Sequence, residues 1–199
     1  PGAGRSTIRL KFTAADFNSS RVRTPAERQV LRDAGHRVRA WQLQGNLTFT
    51  TTEVLLRDVL ATAGATDSVI LDLKRVQSVD VTAAHLLHNV RDALQERGAM
   101  LLLSGVREKL PNGRNLREFL QQTAVVIPDD SAVRVFPELD AAIEWVEDRI
   151  LGERGAPAAE DVPIQLQEMD LFSHRKDETL KDLEARMELR TYKAGETIY

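Results

Sequence analysis

The chain has no cysteine among its 199 residues. That absence excludes disulfide bridges, thiolate metal ligands and thiol nucleophiles, and it fits a reducing compartment such as the cytoplasm. Long apolar runs are also lacking, since no stretch approaches the roughly 18 residues that a membrane-spanning helix needs. The opening PGAGRST has neither the basic nor the apolar region of a secretory signal peptide. We therefore expect a soluble, cytoplasmic chain with no membrane span.

An excess of positive charge is missing as well. The sequence has 27 lysine and arginine residues against 30 aspartate and glutamate residues, and its net charge is -3. Because the two signs are interleaved along the chain, no basic surface is indicated that would gather phosphates, and nucleic acid is not an expected partner. Hydrophobic residues make up 42% of the chain and charged residues 29%. This composition is typical of a globular chain with room for one domain and part of another.

Motifs for catalysis and metal binding are scarce. His85 and His88 lie one helical turn apart, but no further ligand follows at a suitable spacing, so no metal site is predicted. Residues 173–176 read S-H-R-K and match the S-x-x-K motif of serine-dependent enzymes, but their charged surroundings indicate a chance match. Asp72 and Asp80 are interpreted as polar residues at strand ends. We predict no catalytic residue and no cofactor, and we expect that this chain by itself is not an enzyme.

What the chain does have is a regular alternation of strand and helix signals. A first helix has both ends marked: Thr24 and Glu27 match a capping box, Pro25 suits the first turn, and Gly35 is a stop signal. Further along, SVILDL and AMLLLSGV are short apolar runs typical of strands covered on both faces. Amphipathic helices alternate with these strands, which implies parallel pairing through helical crossovers. The predicted fold class is α/β, with a mixed sheet that contains parallel strands covered by helices.

Composition divides the chain into four parts. Residues 1–37 are predicted to be a connector with one strand and the capped helix, and residues 38–151 the α/β domain, in which Gly45 and Asn46 are expected to form a turn. Residues 152–163, rich in glycine, proline, alanine and acids, are predicted to be a linker. Residues 164–199 are predicted to be a charged helical extension that is too short to be a domain. Because the chain starts at proline and stops inside a predicted strand, we expect it to be a fragment.

The order of these segments resembles the STAS domain, which is shared by bacterial anti-sigma-factor antagonists and the cytoplasmic tails of sulfate-type anion transporters. The resemblance covers about Val38 to Leu151. It rests on LQGNLTF, VILDLKRVQSVDVTAAHLL, LLLSGVREKL and VFPELDAAIEW, of which the middle two are the more specific. The resemblance implies a regulatory and interaction module whose partner is another protein or another domain of the same natural chain.

The resemblance also points to a site. In the antagonists, a hydroxyl residue in a turn of the type D-S-[ST]-G is phosphorylated by a partner kinase. The corresponding stretch is Asp80-Val81-Thr82-Ala83, so the resemblance makes Thr82 the candidate switch and Asp80 its preceding acid. A helix N-terminus can hold a phosphate, but Thr82 or Asp80 can equally well serve as the helix cap. Because Val81 and Ala83 depart from the family pattern, capping alone is the favoured interpretation.

Two further predictions concern ligands and self-association. The resemblance implies weak nucleotide binding near Thr82, with contacts from Ser104 and Gly105. A homodimer is also predicted, through apolar side chains that face a second copy, although packing of these side chains on the sheet is the simpler interpretation. The dimer candidates are Trp145, Ile150, Val54 and Leu55.

The end of the chain resembles the opening of a cyclic-nucleotide-binding domain. MDLFSHRKDETLKDLEARMELRTYKAGETIY follows that family's pattern of a helical segment and a strand that leads into A-G-E-x-I. The cassette that holds the cyclic phosphate would lie beyond Tyr199, so this chain is not expected to bind cyclic nucleotide.

Both resemblances together imply a parent protein. A STAS domain followed by a cyclic-nucleotide module resembles the C-terminal region of a bacterial serine-dependent glutaminase, which converts glutamine to glutamate and ammonia. The predicted function is therefore a non-catalytic regulatory module of such an enzyme. One alternative is the cytoplasmic tail of a sulfate-type anion transporter. The other is a phosphorylation-controlled anti-sigma-factor antagonist with Thr82 as its switch.

Overall fold

The structure is a computed structural model that describes residues 6–62 and 68–155. Its last helix extends to Arg154, so the first residues of the predicted linker are helical. The rest of that linker, the predicted start of a cyclic-nucleotide-binding domain at 164–199 and the S-x-x-K string at 173–176 lie outside the described residues.

The described residues form five strands, five α-helices and one short 3-10 helix. In chain order these are β1 (Ile8–Thr13), α1 (Pro25–Ala34), the 3-10 helix (Gly35–Arg37), β2 (Val38–Leu47), α2 (Phe49–Thr62), β3 (Ser68–Val79), α3 (Val81–Glu96), β4 (Met100–Ser104), α4 (Leu116–Gln122), β5 (Val133–Phe136) and α5 (Leu139–Arg154). The sheet has the order β1-β2-β3-β4-β5. The strand β1 pairs antiparallel with β2, and the other pairs are parallel. The predicted α/β class and mixed sheet are confirmed.

The chain divides into two compact units. The first contains residues 6–13 and 36–142 of the described chain, and therefore the whole sheet with α2, α3 and α4. Its hydrophobic core joins one face of the sheet, at Trp41, Leu71 and Leu103, to Leu55 of α2 and Leu87 of α3. Successive positions of β3 and β4 are buried, as predicted for strands covered on both faces.

The predicted turn at Gly45 and Asn46 is wrong. Both residues belong to β2, where Gly45 has a φ of +75° and the register with β3 shifts between these two positions. Glycine adopts a positive φ without the steric cost of a Cβ atom, so it supports a β-bulge here instead of ending the strand. As a result β2 continues to Leu47, which pairs with Val79 at the end of β3.

The second unit contains residues 14–35 and 143–155, with α1 and most of α5. The predicted capping box of α1 is present, since the amide of Glu27 donates to Thr24 Oγ1 at 3.1 Å and the amide of Thr24 donates to Glu27 Oε1 at 3.0 Å. At Gly35 an added Cβ would lie 2.4 Å from the backbone nitrogen of Ala15. The helix therefore ends where its neighbouring backbone leaves space for glycine alone.

The predicted domain boundary at residue 38 stays a prediction. The structure adds that β1, on the N-terminal side of this boundary, is hydrogen-bonded to β2 along its length. None of the helices within residues 6–62 and 68–155 has an apolar stretch long enough to cross a lipid bilayer.

Candidate functional site

The junction between β3 and α3 is the first candidate site. Asp80 has an extended backbone with φ -83° and ψ 170°, and its Oδ1 accepts a hydrogen bond of 2.7 Å from the amide of Ala83. The hydroxyl of Thr82 donates to the same Oδ1 at 2.7 Å. Asp80 is therefore the N-cap of α3, and Thr82 supports the cap by orienting its carboxylate. The amide of Asp80 also donates to the carbonyl of Leu47 at 3.1 Å, which ties this cap to the end of β2.

Two large apolar side chains are exposed near this cap. Val81 is 63% exposed, and Phe49 at the start of α2 is 51% exposed. Phe49 lies two residues after Leu47, and Val81 lies two residues after Val79. Because Leu47 and Val79 pair at the ends of β2 and β3, Phe49 and Val81 lie at the same edge of the sheet. We call Phe49, Val81 and the exposed Thr82 the α3 N-terminal surface.

A positive charge is fixed close to this surface. Arg114 Nη1 donates to the carbonyl of Val79 at 3.0 Å, and its guanidinium lies 4.2 Å from the ring centroid of Phe119. A phosphate on Thr82 would thus have an arginine and the N-terminus of α3 nearby, opposed by the carboxylate of Asp80. Phosphorylation of Thr82 stays a prediction, and its geometry offers both attraction and repulsion.

The second candidate pair, Ser104 and Gly105, lies inside the protein. Ser104 is fully buried, and its hydroxyl donates to Asp72 Oδ1 at 2.9 Å. Gly105 has a φ of +65°, and an added Cβ would lie 2.8 Å from the backbone nitrogen of Lys74. The side chain of Ser104 is therefore engaged in a hydrogen bond within the sheet. Nucleotide contact at this pair stays a prediction.

The interpretation of Asp72 as a residue at a strand end is wrong. Asp72 lies in the middle of β3 and is 1% exposed. Its other oxygen, Oδ2, accepts from Gln42 Nε2 at 3.1 Å, and Arg9 Nη1 donates to Gln42 Oε1 at 3.2 Å. A polar network thus crosses the sheet from β1 to β4. Burial raises the pKa of Asp72 above its ordinary value, and the hydrogen bonds from Gln42 and Ser104 oppose that rise.

The remaining predicted positions are distributed over the fold. The rings of His85 and His88 stack with centroids 6.4 Å apart. Among the residues that the structure describes, no group of three histidine, cysteine or acidic side chains is arranged to hold a metal ion. Of the residues offered for self-association, Leu55 and Ile150 are buried, which contradicts a role facing a second copy, whereas Val54 is 60% exposed. The homodimer stays a prediction.

Comparisons with known proteins identify the part of the chain that contains β2, β3 and β4. Residues 33–112 match the family model of the STAS domain. This region is a STAS domain. The family resemblance predicted from LQGNLTF and the stretch around DVTA is thereby confirmed, and the match includes Asp80, Thr82, Ser104 and Gly105.

Two curated relatives extend over nearly the whole chain. Glutaminase 1 of Bradyrhizobium diazoefficiens is 32% identical over 194 residues, which are 98% of this chain and 30% of that protein. Glutaminase 2 of the same bacterium is 25% identical over the same shares of the two chains. The chain thus spans 30% of the length of each curated relative it matches.

A solved structure agrees with the fold. The murine solute carrier 26 family member A9, an anion transporter, aligns with a TM-score of 0.50 and 17% identity over 72% of this chain and 23% of its own chain. At this identity the likeness concerns the fold alone. The structural likeness therefore supports the fold of the STAS domain. The sequence similarity to the two glutaminases covers nearly the whole chain.

Proposed function

We propose that this chain is a non-catalytic regulatory and interaction module of a larger cytoplasmic bacterial glutaminase. The observation that carries the proposal is the 32% identity with glutaminase 1 over 98% of the chain. Since that match takes up 30% of the relative, the reaction that converts glutamine to glutamate and ammonia is assigned to a domain outside these residues. The partner of the STAS domain is then another part of the same natural protein.

The α3 N-terminal surface is the part of the module that best suits such a contact. Exposed large apolar side chains that lie together are typical of interaction sites. Val81 and Phe49 supply the apolar area, and the cap formed by Asp80 and Thr82 holds the start of α3 rigid. We therefore assign the contact with the catalytic part to this surface.

Ammonia release from the full-length natural protein tests the proposal. We expect hydrolysis of glutamine by the full-length protein, none by this chain alone, and altered kinetics when these residues are deleted. Val81→Ser in the full-length protein should change kcat or KM several-fold, because it removes apolar area from the contact. Val54→Ser is the matched control, since it also replaces an exposed valine but lies on the outer side of α2.

Either of two results would overturn the proposal. If the full-length natural protein releases no ammonia from glutamine, the parent is not a glutaminase. Many apolar spans upstream of Pro1 would instead support the alternative of an anion-transporter tail. If Val81→Ser and Val54→Ser behave alike, the assigned contact surface is wrong even where the parent is right.

A phosphorylation switch at Thr82 is the second candidate function. The observation that favours it is the exposed hydroxyl of Thr82 at the start of α3, with Arg114 fixed at Val79. Thr82→Glu is expected to abolish a complex with a kinase-type partner, as in an anti-sigma-factor antagonist, because it adds a negative charge beside Asp80. Thr82→Val, which has nearly the same shape and no charge, should preserve that complex. A pull-down from the native host with both variants decides the matter, and an unchanged complex with Thr82→Glu removes this candidate.

A further inference from the structure

The loop between β4 and α4 contains an asparagine that is followed directly by glycine. Pro111, Asn112, Gly113 and Arg114 are all exposed. The amide of Leu110 donates to the carbonyl of Arg114 at 2.9 Å, and the amide of Gly113 donates to the carbonyl of Leu110 at 2.8 Å. Asn112 and Gly113 therefore lie in a short turn that solvent can reach.

The side chain of Asn112 is folded over the backbone that follows it. Its Oδ1 accepts a hydrogen bond of 3.0 Å from the amide of Arg114, which is the turn that asparagine makes with the residue two positions on. The ring closed by this bond contains both Cγ of Asn112 and the backbone nitrogen of Gly113. The amide of Arg114 is also in place to stabilise the negative charge that develops on Oδ1 when a nucleophile attacks Cγ. An electrophilic carbon and a nitrogen nucleophile are thus held within one turn.

Gly113 leaves its backbone nitrogen open to such a reaction. Its φ is +84°, and nothing lies within 4 Å of the position where a Cβ would be. A side chain would crowd the approach of Asn112 to this nitrogen, and glycine has none. The hydrogen bond from Gly113 to Leu110 must open before the nitrogen can react. Because the turn is exposed, we expect this opening to be a local event that leaves the rest of the fold intact.

We propose that Asn112 is a site of spontaneous modification, at which the folded chain converts asparagine into aspartate and isoaspartate. The nitrogen of Gly113 loses its proton to solvent and bonds to Cγ of Asn112, the bond between Cγ and Nδ2 breaks, and ammonia leaves. Water then opens the resulting cyclic imide. Opening at Cγ restores the ordinary backbone and gives aspartate. Opening at the main-chain carbonyl carbon leaves the chain linked through Cγ and gives isoaspartate.

The modification changes the charge of a loop that contacts the end of β3. Either product adds a carboxylate that is ionised at neutral pH, and isoaspartate also adds one carbon atom to the main chain. Arg114, two residues further on, donates from Nη1 to the carbonyl of Val79 at 3.0 Å. A new negative charge therefore arises two positions from this arginine. The inference goes beyond the regulatory role proposed above and does not depend on the identity of the parent enzyme.

A time course of the folded chain in mildly alkaline buffer, followed by brief tryptic digestion and mass spectrometry, tests the proposal. Trypsin cleaves after Lys109 and Arg114, so Asn112 is recovered in the peptide 110–114, and a sample without incubation is the blank. We expect this peptide to acquire the mass of the carboxyl form at least tenfold faster than the peptide with Asn89, which is also exposed but lies within α3.

The products and the pH dependence identify the route. Isoaspartate should be present, as detected with an isoaspartyl methyltransferase, because only the cyclic imide gives it. The rate should rise with pH, since the nitrogen of Gly113 must lose a proton. Equal rates at Asn112 and Asn89, a product that is aspartate alone, or a rate independent of pH would each overturn the proposal.

Two variants identify the reacting groups. Asn112→Gln is expected to slow conversion at position 112 at least tenfold, because its longer side chain must close a larger ring. Gly113→Ala should slow conversion of Asn112 at least tenfold by crowding the nitrogen. Gly98→Ala is the matched control and should leave the rate at Asn112 unchanged, because Gly98 also has a positive φ, +73°, with nothing within 4 Å of an added Cβ. An unchanged rate in Asn112→Gln, or equal rates in Gly113→Ala and Gly98→Ala, overturns the assignment.

Discussion

Gly105 illustrates at the scale of one residue why a position in this fold accepts a single amino acid. Its φ of +65° is a conformation that L side chains rarely adopt. An added Cβ would also lie 2.8 Å from the backbone nitrogen of Lys74 and 2.9 Å from Asp72 Oδ1. The end of β4 thus passes so close to β3 that neither the backbone angle nor the space allows a side chain.

Gly105→Ala is therefore expected to destabilise the protein more than an ordinary glycine replacement does. A left-handed alanine costs about 1–2 kcal/mol, and the crowding against Lys74 and Asp72 adds about 1–3 kcal/mol. Gly98→Ala is the matched control, because Gly98 has a φ of +73° with nothing within 4 Å of its added Cβ. Urea unfolding of both variants separates the two costs. Equal losses of unfolding free energy would show that the close approach at Gly105 contributes nothing.

The structural elements show which features local sequence patterns can predict. The start of α1 depends on Thr24 and Glu27, which are three residues apart, so the pattern alone predicts its capping box. The role of Gly45 is harder to predict, because glycine with a positive φ occurs both in turns and in β-bulges. Only the pairing with β3 distinguishes these two structures. At α3, two capping residue types stand two positions apart, and the structure shows that Asp80 has the role. Local patterns therefore predict an element better than its exact end.

The contact between the segment before α1 and α5, within the second unit, has no local signal. Glu147 is fully buried in this unit and accepts from the amide of Ser19 at 3.1 Å and from Arg23 Nη2 at 3.2 Å. Burial raises the pKa of Glu147, and the bonds from Ser19 and Arg23 oppose that rise. Arg23 also reaches Asp148 at 2.7 Å. The partners are more than 120 residues apart in sequence, so helix periodicity could not reveal this buried ion pair.

Removal of one partner from this cluster is expected to be costly. Arg23→Met leaves the carboxylate of Glu147 buried without its cation, which costs about 3–5 kcal/mol in comparable pairs. The double variant Arg23→Met with Glu147→Gln should lose less than the sum of the two single variants, because position 147 then carries no buried carboxylate that lacks its cation. Arg21→Met is the control: Arg21 pairs with Glu144 at 3.2 Å on the surface, and such exposed pairs contribute about 1 kcal/mol or less. Additive losses in the double-mutant cycle would contradict a direct coupling.

At the scale of the whole molecule, the sheet order determines which polar groups meet. Asp72 receives hydrogen bonds from Gln42, 30 residues earlier, and from Ser104, 32 residues later. These residues become neighbours only because β2 and β4 flank β3 in the sheet. The alternation of strands and helices predicts the α/β class, but it does not specify the register that aligns three polar side chains.

The buried carboxyl of Asp72 leads to a prediction about the pH dependence of stability. Because burial raises its pKa above the ordinary value of 3.8, the folded protein holds this proton more tightly than the unfolded chain does. Asp72 therefore favours folding at pH values below its unfolded pKa, and that contribution is lost as the pH rises through its folded pKa. Asp72→Asn has no proton to lose. Its unfolding free energy, relative to that of the unaltered chain, is thus expected to increase from about pH 4 towards pH 7.

A second variant fixes the cause of this effect. Ser104→Ala keeps the carboxyl but removes one of the hydrogen bonds that stabilise its charged form, so it should lose stability more steeply with rising pH than the unaltered chain. Urea unfolding of the three proteins at several pH values between about 4 and 7 gives the comparison, and Glu147 cancels because it is present in all of them. A difference between Asp72→Asn and the unaltered chain that does not change with pH would mean that Asp72 titrates alike in the folded and unfolded states. Burial within the polar network would then not control its proton.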